Sequence, residues 1–518
     1  MSHSAKYPVG IQDFGEVIRG GYVYVDKTAL MWRLIDTGKY YFLSRPRRFG
    51  KSLLLSTFAA YFSGERDLFE GLAIAEHTTE WAKHPVLHLD LGGQEYTEAE
   101  SLNMVLNRRL NAWEDLYGRR EDEVGPPLRF GGIIQRACVR TGRQAVILID
   151  EYDKPLLETV DNEALHEKYR STLRAFYFNL KSCDKYIKFA LLTGVTKFSK
   201  LSVFSDLNNL KDISMLPGYA AICGITEAEL LQRFDGGIER LAEAGGMSRE
   251  ETLAALARHY DGYRFAKNAE AVYNPFSLLN ALSDSLLGDY WFESGTPKFL
   301  AEILKRRDFD LENLPDATVS ASRINSQDSL SNDPLPVLYQ SGYLTLADWD
   351  DMNNYYLRFP NEEVERGFLQ ALVPIYAGKK NGISDALITR IVRGIRAGDP
   401  EGFMRELKAL LADVPYERGK PEEAYFRNLL FIIFRLLGFY CEVEHPVAGG
   451  RSDTVVKTDK FIYVLEIKVD KSAEAALAQI EEKGYAAPYA TDSRKLFKLG
   501  INFSTKTKQI DDWRVVGA

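Results

Sequence analysis

The chain has 518 residues, 45% of them hydrophobic and 27% charged, enough for roughly two to four soluble domains with separate cores. Its net charge of −8 argues against attraction of the whole surface to nucleic acid, though not against a local basic channel. Four scattered cysteines suggest neither a zinc site nor a disulfide framework, and there is no apolar signal core and no run near the ~20 residues of a membrane span; a soluble cytoplasmic protein is expected.

In chain order, a short strand is expected at Tyr22–Val25, then an amphipathic helix through Ala29–Ile35 with Thr28 as N-cap. The apolar run Tyr40-Tyr41-Phe42-Leu43 reads as a strand, followed by a basic turn, Gly50-Lys51-Ser52 and a helix over Ser52–Phe62 that is apolar all round and therefore buried. A second strand is expected at His84–Leu91. A helix at Leu102–Tyr117 follows, with Arg108, Arg109 and Glu114 on its wet face, then a loop at Gly118–Pro127 and a helix at Phe130–Thr141. Ala145–Ile149 is the continuous aliphatic run of a strand buried on both faces, ending in Asp150-Glu151, and a further strand, Tyr186–Leu192, ends in Thr193-Gly194-Val195-Thr196. This alternation predicts a doubly wound α/β sheet. Helices at Glu227–Phe234 and Arg249–Tyr260 read as a small lid or winged-helix-like appendage. Short strands are expected at Gly342–Ala347 and Tyr355–Phe359 in a connector. The last part restarts with helices at Ile383–Ala397, Gly402–Leu411 and Glu422–Leu437. Strands at Tyr440–Glu444, Ser452–Lys457 and Phe461–Val469 and a helix at Ala473–Tyr485 complete a second α/β core.

Two constellations carry chemistry. Strand, Gly50-Lys51-Ser52 and helix is the order of a phosphate loop: backbone N–H groups and a glycine face the phosphates, Lys51 reaches the β- and γ-phosphates, and Ser52 holds Mg²⁺. Arg45 stands where the full pattern has its first glycine, so the stretch by itself reads first as a basic turn capping a helix. Asp150-Glu151 at a strand end supplies the context: Asp150 for Mg²⁺, Glu151 to polarise the attacking water and Thr193 to sense the γ-phosphate of ATP or GTP. Arg45, Arg47 and Arg48 read either as a phosphate clamp or trans-acting arginine finger, or as a solvated turn; Arg264 is a weaker finger candidate.

The second constellation is Asp453 on one strand and Glu466-Ile467-Lys468 on the next. Residues i and i+2 of a strand share a face, so Glu466 and Lys468 point together, and hairpin pairing would bring Asp453 near Glu466. Two such carboxylates need a cation between them, and hard oxygen ligands suit Mg²⁺ or Mn²⁺, with Lys468 to orient or deprotonate a water. Alone, Glu-x-Lys is usually an exposed ion pair. Glu422 opening the preceding helix and Gln479 on the following one strengthen the metal reading.

These stretches, with Tyr24–Thr28, Arg45–Leu53, Leu148–Asp153, Asp261–Phe265, Asn274–Ser277 and Tyr339–Leu344, resemble the bacterial proteins that join an AAA-ATPase-like domain to a C-terminal PD-(D/E)XK nuclease domain. The family shares the missing loop glycine. The resemblance implies a RecA/AAA-like P-loop domain over 1–220, a helical region over 221–300, a connector over 301–379 and a restriction-endonuclease-like α/β domain over 380–518. It maps Asp453, Glu466 and Lys468 onto the nuclease signature, with Glu422 as the helical acid, and places Arg48, Gly50, Lys51, Ser52, Asp150 and Thr193 about ATP. The expectation is an ATP-controlled, Mg²⁺-dependent nuclease acting on DNA rather than RNA. A finger arginine acting in trans would make it a homo-oligomer. The alternatives are a nucleotide-switched nucleic-acid-binding regulator that does not cut, and an NTPase scaffold.

Overall fold

The computed structural model describes residues 5–197, 209–293, 311, 314, 317–324, 333–377, 385–412, 431–438, 442–444, 453–507 and 509–517, without the side chains of 292–293, 373–377, 385–388, 410–412, 442–444 and 453. The chain divides into two compact units, 1–303 with 315–365, and 304–314 with 366–518.

The first unit is built on strands β1 (Tyr40–Ser44), β2 (Val86–Asp90), β3 (Ala145–Asp150), β4 (Ile187–Gly194) and the two-residue β5 (Lys211–Asp212), all parallel in the order β2-β3-β4-β1-β5. Every residue of β1 and β3 is buried, as their unbroken apolar runs require. Because β4 lies between β1 and β3, the tips carrying the phosphate loop, Thr193 and Asp150 are neighbours. Helices Ser101–Tyr117 and Pro126–Thr141 connect β2 to β3, and Glu163–Tyr177 lies between β3 and β4. Phe130 and Phe176 stack at 4.3 Å in the core between these helices.

Helices Glu227–Arg233, Asp235–Gly245, Arg249–Tyr260 and Pro275–Asp284 enclose a separate core of Leu230, Phe234, Ile238, Leu256 and Leu282, on which Tyr7 also packs. Two of them start with reciprocal capping boxes, Thr226 with Glu229 and Ser248 with Glu251. Strands β6 (Thr318–Ser320), β7 (Thr345–Trp349) and β8 (Asn354–Arg358) form an antiparallel sheet in the order β6-β8-β7. The stretch expected to be a connector thus contributes this sheet to the first unit.

The second unit holds a mixed sheet, β13-β12-β11-β10-β9, from Glu442–Glu444 (β9), Asp453–Lys457 (β10), Phe461–Val469 (β11), Lys495–Ser504 (β12) and Gln509–Gly517 (β13). β11 and β12 are parallel and the other pairs antiparallel. Helix Ala473–Glu482 crosses β12 at Gly500, where a Cβ would come within 2.3 Å of the Ala473 carbonyl oxygen, so only glycine admits the helix so closely.

Several local expectations change. Tyr22–Val25 is no strand; Tyr22 makes a single bridge to Lys6. Lys27, not Thr28, is the N-cap of helix Thr28–Thr37, and Asp26 supplies the acceptor, taking the Thr28 N–H at 2.8 Å and its hydroxyl at 2.6 Å. The other Asp26 oxygen accepts the Ala73 N–H at 2.8 Å, tying two helix starts together. Glu114 is buried rather than on a wet face, in a bidentate pair with Arg129 at 2.7 Å. Helix Asp235–Gly245 and strands β12 and β13 are additions to the elements expected from the sequence. Glu422 lies outside the described residues.

Candidate functional site

Gly50 ends the turn after β1 with φ +87° and serves as N-cap of helix Lys51–Phe62. That left-handed angle suits glycine, and it aims the first N–H groups of a long buried helix out of the turn. Lys51 is buried and its ammonium donates to the carbonyls of Arg45 and Pro46, both at 3.0 Å, so the loop curls around its own lysine. The Ser52 hydroxyl donates to Asp150 Oδ2 at 2.6 Å, and the Thr193 hydroxyl to Asp150 Oδ1 at 2.6 Å. The Glu151 N–H adds a third donor to Asp150 at 3.0 Å. Three strand tips therefore meet at one buried carboxylate whose donors are neutral groups, the donor set that a hard cation beside Ser52 and Asp150 would replace.

Glu151 follows in a left-handed conformation, φ +49°. Burial raises its pKa, opposed by Lys51 and reinforced by Asp150 and Asp153. Asp153, to which the sequence assigned no role, is fully buried and accepts the Thr196 N–H and hydroxyl, both at 2.6 Å, and the Val195 N–H. It pins the tip of β4 against β3. Burial raises its pKa too, the Thr196 bonds opposing.

The three arginines of the basic turn have separate fates. Arg45 is neither clamp nor solvated: it is buried, donating to the carbonyls of Ser44, Ser214, Tyr219 and Ala220, with its guanidinium 4.1 Å from the Phe265 ring centre. Arg45 thus joins the phosphate loop to the 214–220 segment, which explains why a large cation can stand where another loop would have glycine. Arg47 is exposed, and its carbonyl accepts the Trp291 indole N–H at 3.2 Å. Arg48, at φ +67°, is exposed with its guanidinium over Phe276 at 4.6 Å. Arg264 is engaged locally, donating to the Ala347 carbonyl at 3.1 Å. Phe49 is buried against Tyr263 and Phe265, so the Asp261–Phe265 motif packs under the loop. Lys27 pairs with Glu229 at 2.6 Å.

In the second unit, the antiparallel register sets Asp453 of β10 directly opposite Glu466 of β11. The Asp453 side chain is outside the described residues. Glu466 is fully buried, and the Lys468 ammonium stands 2.9 Å from Glu466 Oε1 and donates to Gln479 Oε1 on helix Ala473–Glu482. Glu466, Lys468 and Gln479 are thereby brought to one side of the sheet, as i, i+2 spacing on β11 requires. Among the described residues no group of three or more potential ligands is gathered tightly enough to hold a metal. A divalent ion here fits the buried Glu466 carboxylate only if Asp453 and Glu422 complete the set. Tyr485 is half-buried, packed against the apolar core of Ile462, Val464 and Ile480.

Family comparisons agree with this two-site arrangement. Residues 8–204 match the family described as Predicted AAA-ATPase, and residues 421–513 match the PD-(D/E)XK nuclease superfamily. The chain is an AAA-ATPase-like P-loop domain joined to a restriction-endonuclease-like domain. It is 35% identical over 521 residues to a protein of Azotobacter chroococcum mcd 1 described as "Uncharacterized protein in vnfD 5'region", covering 98% of each chain. The chain belongs to this family of AAA-ATPase-like and PD-(D/E)XK nuclease-superfamily fusions. The solved ORC2 protein of Aeropyrum pernix, in ADPNP and ADP complexes, is 10% identical over 67% of this chain and 93% of that one, with a TM-score of 0.21. Among the described residues no helix is long and apolar enough to cross a membrane.

Proposed function

We propose that the protein binds and hydrolyses ATP in its first unit and, under that control, cleaves nucleic-acid phosphodiesters in its second. The observation that supports this most is the junction of Ser52, Thr193 and Asp150 at 2.6 Å across three adjacent strand tips, directly after a Gly-Lys-Ser turn. Mg²⁺, when bound, would supply positive charge to the phosphate oxygens in both reactions. Lys51 exchanges its two carbonyl acceptors for β- and γ-phosphate oxygens. Ser52 and Asp150 hold the cation, Thr193 orients Asp150, Glu151 takes a proton from the attacking water, and Arg48 with the Gly50 backbone faces the phosphates. In the second unit Asp453, Glu466 and Glu422 would hold Mg²⁺ or Mn²⁺, and Lys468, held by Gln479, would orient the water. DNA is the favoured substrate over RNA, the protein is cytoplasmic, and a finger such as Arg47 acting in trans would require a homo-oligomer.

The test combines labelled DNA or RNA, Mg²⁺ and ATP with Lys51→Ala and Glu466→Ala. Cleavage lost in Glu466→Ala, and nucleotide binding lost in Lys51→Ala, are the expected results. Nucleotide-dependent binding of nucleic acid without cutting under either metal would instead establish a switched regulator.

A further inference from the structure

Beside the tip that carries Glu151, the chain leaves β2 through Asp90-Leu91-Gly92-Gly93. Gly92 is not in the positive-φ region, so its backbone would accept any residue. What bars a side chain is its surroundings. A Cβ there would stand 2.8 Å from Glu151 Oε2, 3.0 Å from Glu151 Cδ and 2.9 Å from Asp90 Oδ1, whereas at Gly93 a Cβ would meet open space. The turn is held from three directions. The Gly92 N–H donates to Asp90 Oδ1 at 2.7 Å, the Leu91 N–H to the Asp150 carbonyl at 3.2 Å, and the Lys154 ammonium to the Gly92 carbonyl. The left-handed backbone of Glu151 is a strain that persists where surroundings fix the conformation.

We propose that Gly92 is a positioning residue for nucleotide hydrolysis: its missing side chain forms the seat that holds the Glu151 carboxylate toward the attacking water. This rests on the hydrolysis reading above and names a residue that reading does not use. The atoms in the way are the carboxylate ends of Glu151 and Asp90, both flexible side chains, so a methyl group at 92 leaves the fold intact and swings the Glu151 carboxylate out. A displacement of about 1 Å at a reacting group is worth about 10²-fold in rate.

The experiment is steady-state ATP hydrolysis and nucleotide affinity for the wild-type chain, Gly92→Ala, Gly93→Ala, and Gly92→Ala combined with Glu151→Asp. Gly92→Ala is expected to lower kcat about 10²-fold with nucleotide affinity and thermal midpoint unchanged. Gly93→Ala behaves as wild type. Glu151→Asp, one methylene shorter, recovers part of the loss when added to Gly92→Ala although it lowers kcat alone. Wild-type kcat in Gly92→Ala, an equal loss in Gly93→Ala, or a loss that tracks nucleotide affinity would overturn the seat. A wild-type protein that binds ATP and does not hydrolyse it would overturn the hydrolysis reading, and the seat's role with it.

Discussion

Asp150 and Glu466 each follow an aliphatic run on an inner strand of their sheet, and each is buried, yet they are accommodated by different chemistry. Asp150 is surrounded by neutral donors, two hydroxyls and an amide, whereas Glu466 has the Lys468 ammonium at 2.9 Å. Hydroxyl donors can be exchanged for a cation without leaving a buried charge behind. A lysine partner cannot be withdrawn so freely, because a carboxylate in a dry interior then loses its compensating charge. The first site is suited to a ligand that comes and goes, the second to a fixed arrangement awaiting substrate.

The sharpest way to break this contrast is Lys468→Met. It should destabilise the second unit by about 3 to 5 kcal/mol and lower cleavage ~10²- to 10⁴-fold, read by denaturant unfolding and labelled-strand cutting. A loss of activity with unchanged stability would mean that Glu466 does not depend on its lysine. Asp150→Asn should be gentler on the fold. Its bonds to Ser52, Thr193 and the Glu151 N–H weaken from charge-assisted to neutral without being lost, while nucleotide hydrolysis is abolished. If Asp150→Asn unfolds the first unit, the carboxylate is a structural requirement of the sheet.

A pH profile separates the sites further. Glu151 must be ionised to act as base, and burial raises its pKa above the usual carboxylate range. ATP hydrolysis should therefore fall as pH drops while still above that range, with nucleotide binding retained; a limb at ordinary carboxylate pH would contradict the buried base. The smallest effect is a control. Thr226→Ala in the first unit and Ser472→Ala in the second each remove a helix N-cap and should each cost about 1 kcal/mol, whatever the state of the catalytic groups. Unequal costs would mean that the two units differ in general stability and not only at their carboxylates.

The sequence made the chemical pairs visible where they rest on local geometry. Gly50-Lys51-Ser52 follows a strand, Asp150 ends one, and Glu466 and Lys468 share a face through strand periodicity alone. What stayed hidden depends on residues far apart in the chain. Nothing in the period of helix Ser101–Tyr117 marks Glu114 as the partner of Arg129. Arg45 reads as a surface cation because its four carbonyl acceptors come mostly from residues about 170 positions later. Gly92 carries no motif; its neighbour Glu151 is brought in by the pairing of β2 with β3. Strand β12 was missed because Gly500, Asn502 and Ser504 interrupt its apolar run. The structure explains each: Gly500 admits a helix, Asn502 accepts the Lys471 N–H at 2.9 Å, and Ser504 caps the turn to β13 through the Thr507 N–H.

The most direct measurement is cleavage of end-labelled DNA and RNA by the full-length protein with Mg²⁺, with and without ATP, in wild type, Lys51→Ala and Glu466→Ala. The account predicts cutting by the wild type that depends on ATP, cutting that no longer responds to ATP in Lys51→Ala, and none in Glu466→Ala. Undiminished cutting by Glu466→Ala would contradict it.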